Sequence, residues 1–185
     1  MKKKNLIIGG IVGAALAVVI SGFVSQEKAT SANSYQNTKV TEDTKIKVER
    51  FNGIAQDKLS FKAKKPTVLP EDVKELEPKT EVVIQGAKKL KVVKQAWVDK
   101  DADKKLKYQR KELLIIQSDD DGTVKPMNVL SKGEKIQVAG VDAWLIKRGE
   151  HDPIQLIFWK DGRYFNVRGM NIKADKLIKI AESLQ

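Results

Sequence analysis

The chain has 185 residues and no cysteine. A domain without disulfides must be held by burial of apolar surface alone. Without a cysteine behind its apolar leader, the chain also cannot be a lipid-modified lipoprotein. Histidine is nearly missing too: His151, in RGEHDP, is the one such residue, and a lone histidine in a charged turn reads as surface. There is no G-x-S-x-G elbow, no H-E-x-x-H pair and no glycine loop to cradle phosphate. No enzyme, cofactor or metal is expected on these grounds.

Charge is absent from Asn5 to Gln26, directly behind Lys2-Lys3-Lys4. This pattern predicts a signal peptide or a membrane anchor over residues 1–24. Either reading keeps the lysines inside the cell and puts the rest of the chain outside. SQEKATSANSYQNTKVTEDT, residues 25–44, has few large apolar side chains and reads as a flexible spacer. The remainder, 45–185, is expected to be one extracytoplasmic domain.

Export changes the meaning of the charge. The net value is +11. Cleavage at the small residues Thr30-Ser31-Ala32 would remove four lysines and one glutamate, which leaves 31 basic against 23 acidic residues, or +8. Outside a cell the available polyanions are lipid headgroups and wall polymers, so nucleic acid is set aside as a partner. Residues 86–111 concentrate the charge, with nine lysines and one arginine against three aspartates. In KKLKVVK and KKLKYQRK the lysines interleave with apolar residues. A strand here is expected to place lysines on one face and Leu90, Val92 or Val93 on the other. Lys88, Lys89, Lys91, Lys94, Lys104, Lys105 and Lys107 are therefore candidates for contact with an anionic membrane or wall polymer. The acids in DKDADKK have the spacing of a calcium loop but lack its glycine and closing glutamate. Both that stretch and SDDDG read as solvated turns.

Strand-like runs fill the domain: apolar alternation in IKVERF and, until Pro66 and Pro70 stop it, in LSFKA, then β-branched or aromatic runs in KLKVVKQAWVD, ELLIIQS, EKIQVAG, DAWLIKR and PIQLIFWK. Their close spacing favours antiparallel pairing. ADKLIKIAESL places Ala174, Leu177, Ile178, Ile180, Ala181 and Leu184 in one helical arc. The expected fold is α+β, a mostly antiparallel sheet of about five to seven strands with this helix packed across it, preceded by an N-terminal apolar helix.

FWKDGRYF predicts a hairpin with Asp161-Gly162 as a two-residue turn. Its register pairs Phe158 with Phe165 and Leu156 with Val167 on a core face. Trp159 then faces Tyr164, and Ile157 faces Asn166, on the other. Trp159 and Tyr164 are the aromatic candidates for binding a protein partner or an envelope ligand.

Leu156-x-x-Trp159-x-x-Gly162-x-Tyr164, then Gly169, then Ile180-Ala181-Glu182-Ser183-Leu184 resembles the end of an extracytoplasmic family of Gram-positive spore-forming bacteria. That family is catalogued as domain of unknown function 4367. The resemblance extends back through Val138-Ala139-Gly140 and Leu69-Pro70-Glu71 to Pro66 and Phe61. The family pattern continues with Gly-Tyr where this chain has Asp72-Val73. It implies a non-catalytic domain displayed behind a single apolar segment, in some members joined to anti-sigma or sporulation-linked regions, and it transfers no catalytic residue.

Overall fold

The computed structural model describes residues 46–184 apart from Gly86, Val124, Glu150 and His151. The apolar segment 1–24, the spacer 25–44 and His151 therefore lie outside the described residues. No helix among those described is long and apolar enough to cross a membrane.

Among the described residues the strand-like runs pair into one antiparallel sheet of nine strands. They are β1 (Ile46–Asn52), β2 (Val73–Glu75), β3 (Lys79–Gln85), β4 (Lys88–Asp99), β5 (Glu112–Ser118), β6 (Glu134–Val138), β7 (Val141–Ile146), β8 (Ile154–Lys160) and β9 (Arg163–Met170). Their order is β1-β3-β4-β5-β9-β8-β7-β6. The long strand β4 pairs with β3 along its first half and with β2 near its end. Pro78 lies between β2 and β3; having no N–H, it breaks what would otherwise be one continuous strand.

The strand count exceeds the expected five to seven because VKE and KTEVVIQ pair as strands despite their charge. Leu59, Phe61 and Ala63, by contrast, form no strand. Side chains satisfy that backbone in place of a ladder. Gln56 Nε2 donates to the Phe61 carbonyl at 2.8 Å, while Lys64 N–H donates to Gln117 Oε1 at 2.8 Å and Gln117 Nε2 returns to the Lys64 carbonyl at 2.7 Å.

The hairpin register agrees with the expected one, from Lys160↔Arg163 through Phe158↔Phe165 to Gln155↔Arg168. Asp161 and Gly162 have φ of 52° and 65°, both left-handed as this tight turn requires. Phe158 stacks on Phe165 with ring centroids 4.9 Å apart.

The helix α2 (Ala174–Glu182) crosses the Phe158 face. Leu177, Ile180 and Ala181 are buried there with Leu113, Ile115, Leu156, Phe158, Phe165 and Val167. Its N-terminus has no side-chain cap and the helix is only nine residues long, so packing is its main support. At the crossing, a Cβ on Gly169 would lie 2.9 Å from Leu177 Cδ1 and 3.0 Å from Ile172 Cβ. Gly169→Ala is expected to lower stability by about 1–3 kcal/mol, the usual cost of overpacking. Chemical denaturation checks this; an unchanged midpoint would mean that α2 does not seat on β9.

The opposite face carries two apolar clusters. Val83, Val92, Ala96, Leu114 and Ile116 form one. The other comprises Leu130, Ile146, Ile157 and Tyr164, with Leu130 supplied by the short helix α1 (Met127–Leu130). Leu90 packs against both.

Candidate functional site

Strand period 2 separates the lysines of β4. Lys89 and Lys91 share a face with Val93, whereas Lys88 and Lys94 share one with Leu90 and Val92. The expectation of a single lysine face is therefore corrected. Lys88 and Lys89 are exposed, Lys91 is half-buried, and Lys94 is buried. Lys94 Nζ lies 2.8 Å from Glu81 Oε2, and Arg50 Nε is 3.5 Å from the same carboxylate.

β4 also keeps the two lysine groups apart. Its span from Lys88 to Asp99 is about 35 Å at strand rise. Lys88 and Lys89 stand at the end of the sheet that carries the Asp161-Gly162 turn, as the Val92↔Ser118 and Ser118↔Tyr164 pairings show. Lys104 and Lys105 stand at the far end, in the connection from β4 to β5. The Lys107 side chain lies outside the described residues.

That far connection is more than a solvated turn. Asp101 and Asp103 are exposed as expected, but Asp99 is buried. Its Oδ2 accepts from Lys111 N–H at 2.7 Å and from Lys105 Nζ at 2.9 Å. Burial would raise its pKa, but the Lys111 amide and the Lys105 ammonium outweigh that and hold it below the usual aspartate value. Asn171, in a left-handed conformation with φ 54°, donates to the Tyr108 and Arg110 carbonyls at 2.8 and 2.7 Å. Arg110 Nε donates to the Lys105 carbonyl at 3.0 Å. The loop so braced presents Leu106 at 58% and Tyr108 at 55% exposure. Residues 100–111 carry six basic side chains against two acidic ones, a net +4.

A depressed aspartate pKa stabilises the folded form above the unfolded pKa of about 3.9 and loses that contribution as pH falls through the lower folded value. Unfolding followed by fluorescence should therefore show the loop weakening only below about pH 4. Asp99→Asn should remove that acid dependence. If the variant and the parent keep the same acid profile, Asp99 does not brace the loop.

At the near end, Trp159 is half-buried and Tyr164 is enclosed. Asn166 Nδ2 donates to the Tyr164 hydroxyl at 3.1 Å. Trp159 meets Tyr164 edge-on at 5.2 Å and Trp144 edge-on at 6.2 Å, the two indoles inclined at 82°. Lys125 Nζ sits over both, 5.1 Å from the Trp144 ring and 5.3 Å from that of Trp159.

SDDDG builds the remaining wall. Asp119 Oδ1 accepts from Lys91 N–H at 2.8 Å, and Asp120 Oδ1 from Gly122 N–H at 3.0 Å. Burial first, then Asp121 and Asp119, pushes Asp120 above the usual aspartate range against the opposing Gly122 amide. Its carboxylate lies beside the Trp159 indole, yet Nε1 is buried without a hydrogen bond of acceptable geometry.

Gly122 has φ 76°, and a Cβ there would lie 2.7 Å from Trp159 Cδ1. Gly122→Ala is expected to cost about 1–3 kcal/mol and to turn the Trp159 ring. Near-ultraviolet circular dichroism would register that turn; an unaltered spectrum and midpoint would show that the glycine is not needed.

The residues that sequence reasoning missed are Trp144, Lys125, Leu106, Tyr108 and Asp99. KKLKYQRK held a signal for Leu106 and Tyr108 in its apolar insertions, but Lys125 had none. Among the described residues no group of three or more acidic, histidine or cysteine side chains could hold a metal ion.

No curated protein and no solved structure matches the chain. The family described as Domain of unknown function (DUF4367) matches residues 63–184, about two-thirds of the chain, from the segment under α2 to the end of that helix. The chain belongs to this family.

Proposed function

We propose that the protein is a non-catalytic domain of the cell envelope that recognises a protein partner or an envelope ligand, in a regulatory or sporulation-linked role. On this reading the domain is secreted or stays anchored outside the cytoplasmic membrane, with its N-terminus inside. The observation that carries it is the β4–β5 loop, which displays Leu106 and Tyr108 while a buried aspartate and a left-handed asparagine hold its backbone. A loop braced in this way is pre-ordered, so binding costs it little further entropy, and exposed aromatic and aliphatic anchors dominate protein contacts.

A photocrosslinker in place of Leu106 in intact cells should trap one discrete envelope protein, while one at Asn52 should not. No discrete product at either position would end the partner reading. Protease added to the same cells should remove the domain; full protection would contradict export.

The net +4 of residues 100–111 favours a second reading, attachment to anionic lipid or wall polymer. Ionic strength separates the two, because polyanion attachment weakens steeply with salt and an apolar protein contact does not.

A further inference from the structure

We infer that the Trp144–Trp159 corner is a binding site for an alkylammonium group, occupied in this structure by the chain's own Lys125. This site lies at the other end of the sheet from the β4–β5 loop and stands independently of the partner proposed there. Two half-buried indoles at 82° form adjoining walls, and one ammonium contacts the faces of both at 5.1 and 5.3 Å. Indole faces are the aromatic surfaces that attract cations most strongly, and quaternary ammonium ligands are recognised by such walls.

Three features indicate a prepared site rather than a passing contact. The Trp159 ring is clamped, with the Gly122 backbone too close to admit a Cβ and Tyr164 against its edge. Lys125 is bound by rings alone, since among the described residues no carboxylate pairs with its Nζ. The nearby acid Asp142 is engaged instead by Lys135 at 2.6 Å, which is the main cause that lowers its pKa. Lys125 also precedes Pro126 at the entry to α1, on an exposed segment, so its side chain can leave without disturbing the core. Lys125 thus acts as an internal competitor, and a ligand ammonium must displace it.

The experiment titrates the full chain, in a maltoside detergent free of ammonium groups, with choline chloride against sodium chloride at equal ionic strength. Tryptophan fluorescence is the readout, with Trp97, buried on the opposite face, as a constant background. Lys125→Met removes the competing charge and should bind choline about tenfold more tightly than the parent, equivalent to about 1.4 kcal/mol. Adding Trp144→Phe should weaken that response, and adding Trp144→Leu should abolish it; melting curves confirm that each variant is folded.

A parallel titration with butylammonium separates the sources. Tighter choline binding points to a methylated headgroup, and tighter butylammonium binding to the side-chain amine of a lysine-like group. The inference is overturned if folded Lys125→Met gives no saturable response to either cation. A response that survives Trp144→Leu overturns it as well.

Discussion

Phe158→Ala is expected to remove about 3–5 kcal/mol from a domain whose total stability is of the order of 5–15 kcal/mol. The ring is 2% exposed and stacks on Phe165 at 4.9 Å within the cluster that α2 covers. Deleting it loses the transfer free energy of a large apolar side chain. It also opens a cavity that two strands and a helix cannot close together. Urea denaturation at neutral pH should show a large fall in midpoint, or no folded baseline. Trp159→Ala, one residue along but half-buried on the other face, should cost less, about 1–3 kcal/mol. A stable Phe158→Ala protein would show that the hairpin does not form the core of the domain.

Glu81→Leu should be nearly as damaging, for an electrostatic reason. Glu81 of β3 lies opposite Val92 and reaches diagonally to Lys94 of β4, 2.8 Å away, with both side chains 7% exposed. Removing the carboxylate takes away the ion-pair partner of a buried ammonium, and breaking such a pair costs about 3–5 kcal/mol. Replacing both partners, Glu81→Leu with Lys94→Met, should recover most of that loss, because apolar isosteres of a buried pair are often neutral or stabilising. Lys94→Met alone should be milder, since Arg50 remains 3.5 Å from the carboxylate. The measurement is a double-mutant cycle. If Glu81→Leu melts like the parent, the pair is not desolvated.

The sequence alone determines what short-range geometry controls. Asp161-Gly162 could be read as a turn because two adjacent left-handed residues suit few other structures, and the turn then set every pair from Lys160↔Arg163 outward. The apolar arc of α2 was legible for the same reason, since Leu177, Ile180 and Ala181 recur at helical spacing. KTEVVIQ does not read as a strand from its own pattern, because Glu81 breaks the apolar run and finds Lys94 from the next strand. LSFKA alternates like a strand, yet its Phe61 and Lys62 carbonyls accept from the side chains of Gln56 and Arg163. Gln117, 53 residues distant, holds the backbone of Lys64 just beyond it.

The candidate sites divide along the same line. Their ingredients were visible one at a time: Trp159 and Tyr164 in the hairpin, lysines along 86–111, acids before Gly122. Whether those ingredients meet depends on strand order and strand length, which no local pattern encodes. The order brings Trp144 of β7 and Lys125 of the α1 approach onto Trp159, and encloses Tyr164 behind them. The length of β4 holds Lys88 and Lys104 at opposite ends of the sheet, although they lie in one basic run. Turns, arcs and alternation follow from interactions between near neighbours in the chain. Which face is covered, which acid is buried and which aromatics share a corner follow from contacts between distant segments, and those form only when the whole sheet closes on its core.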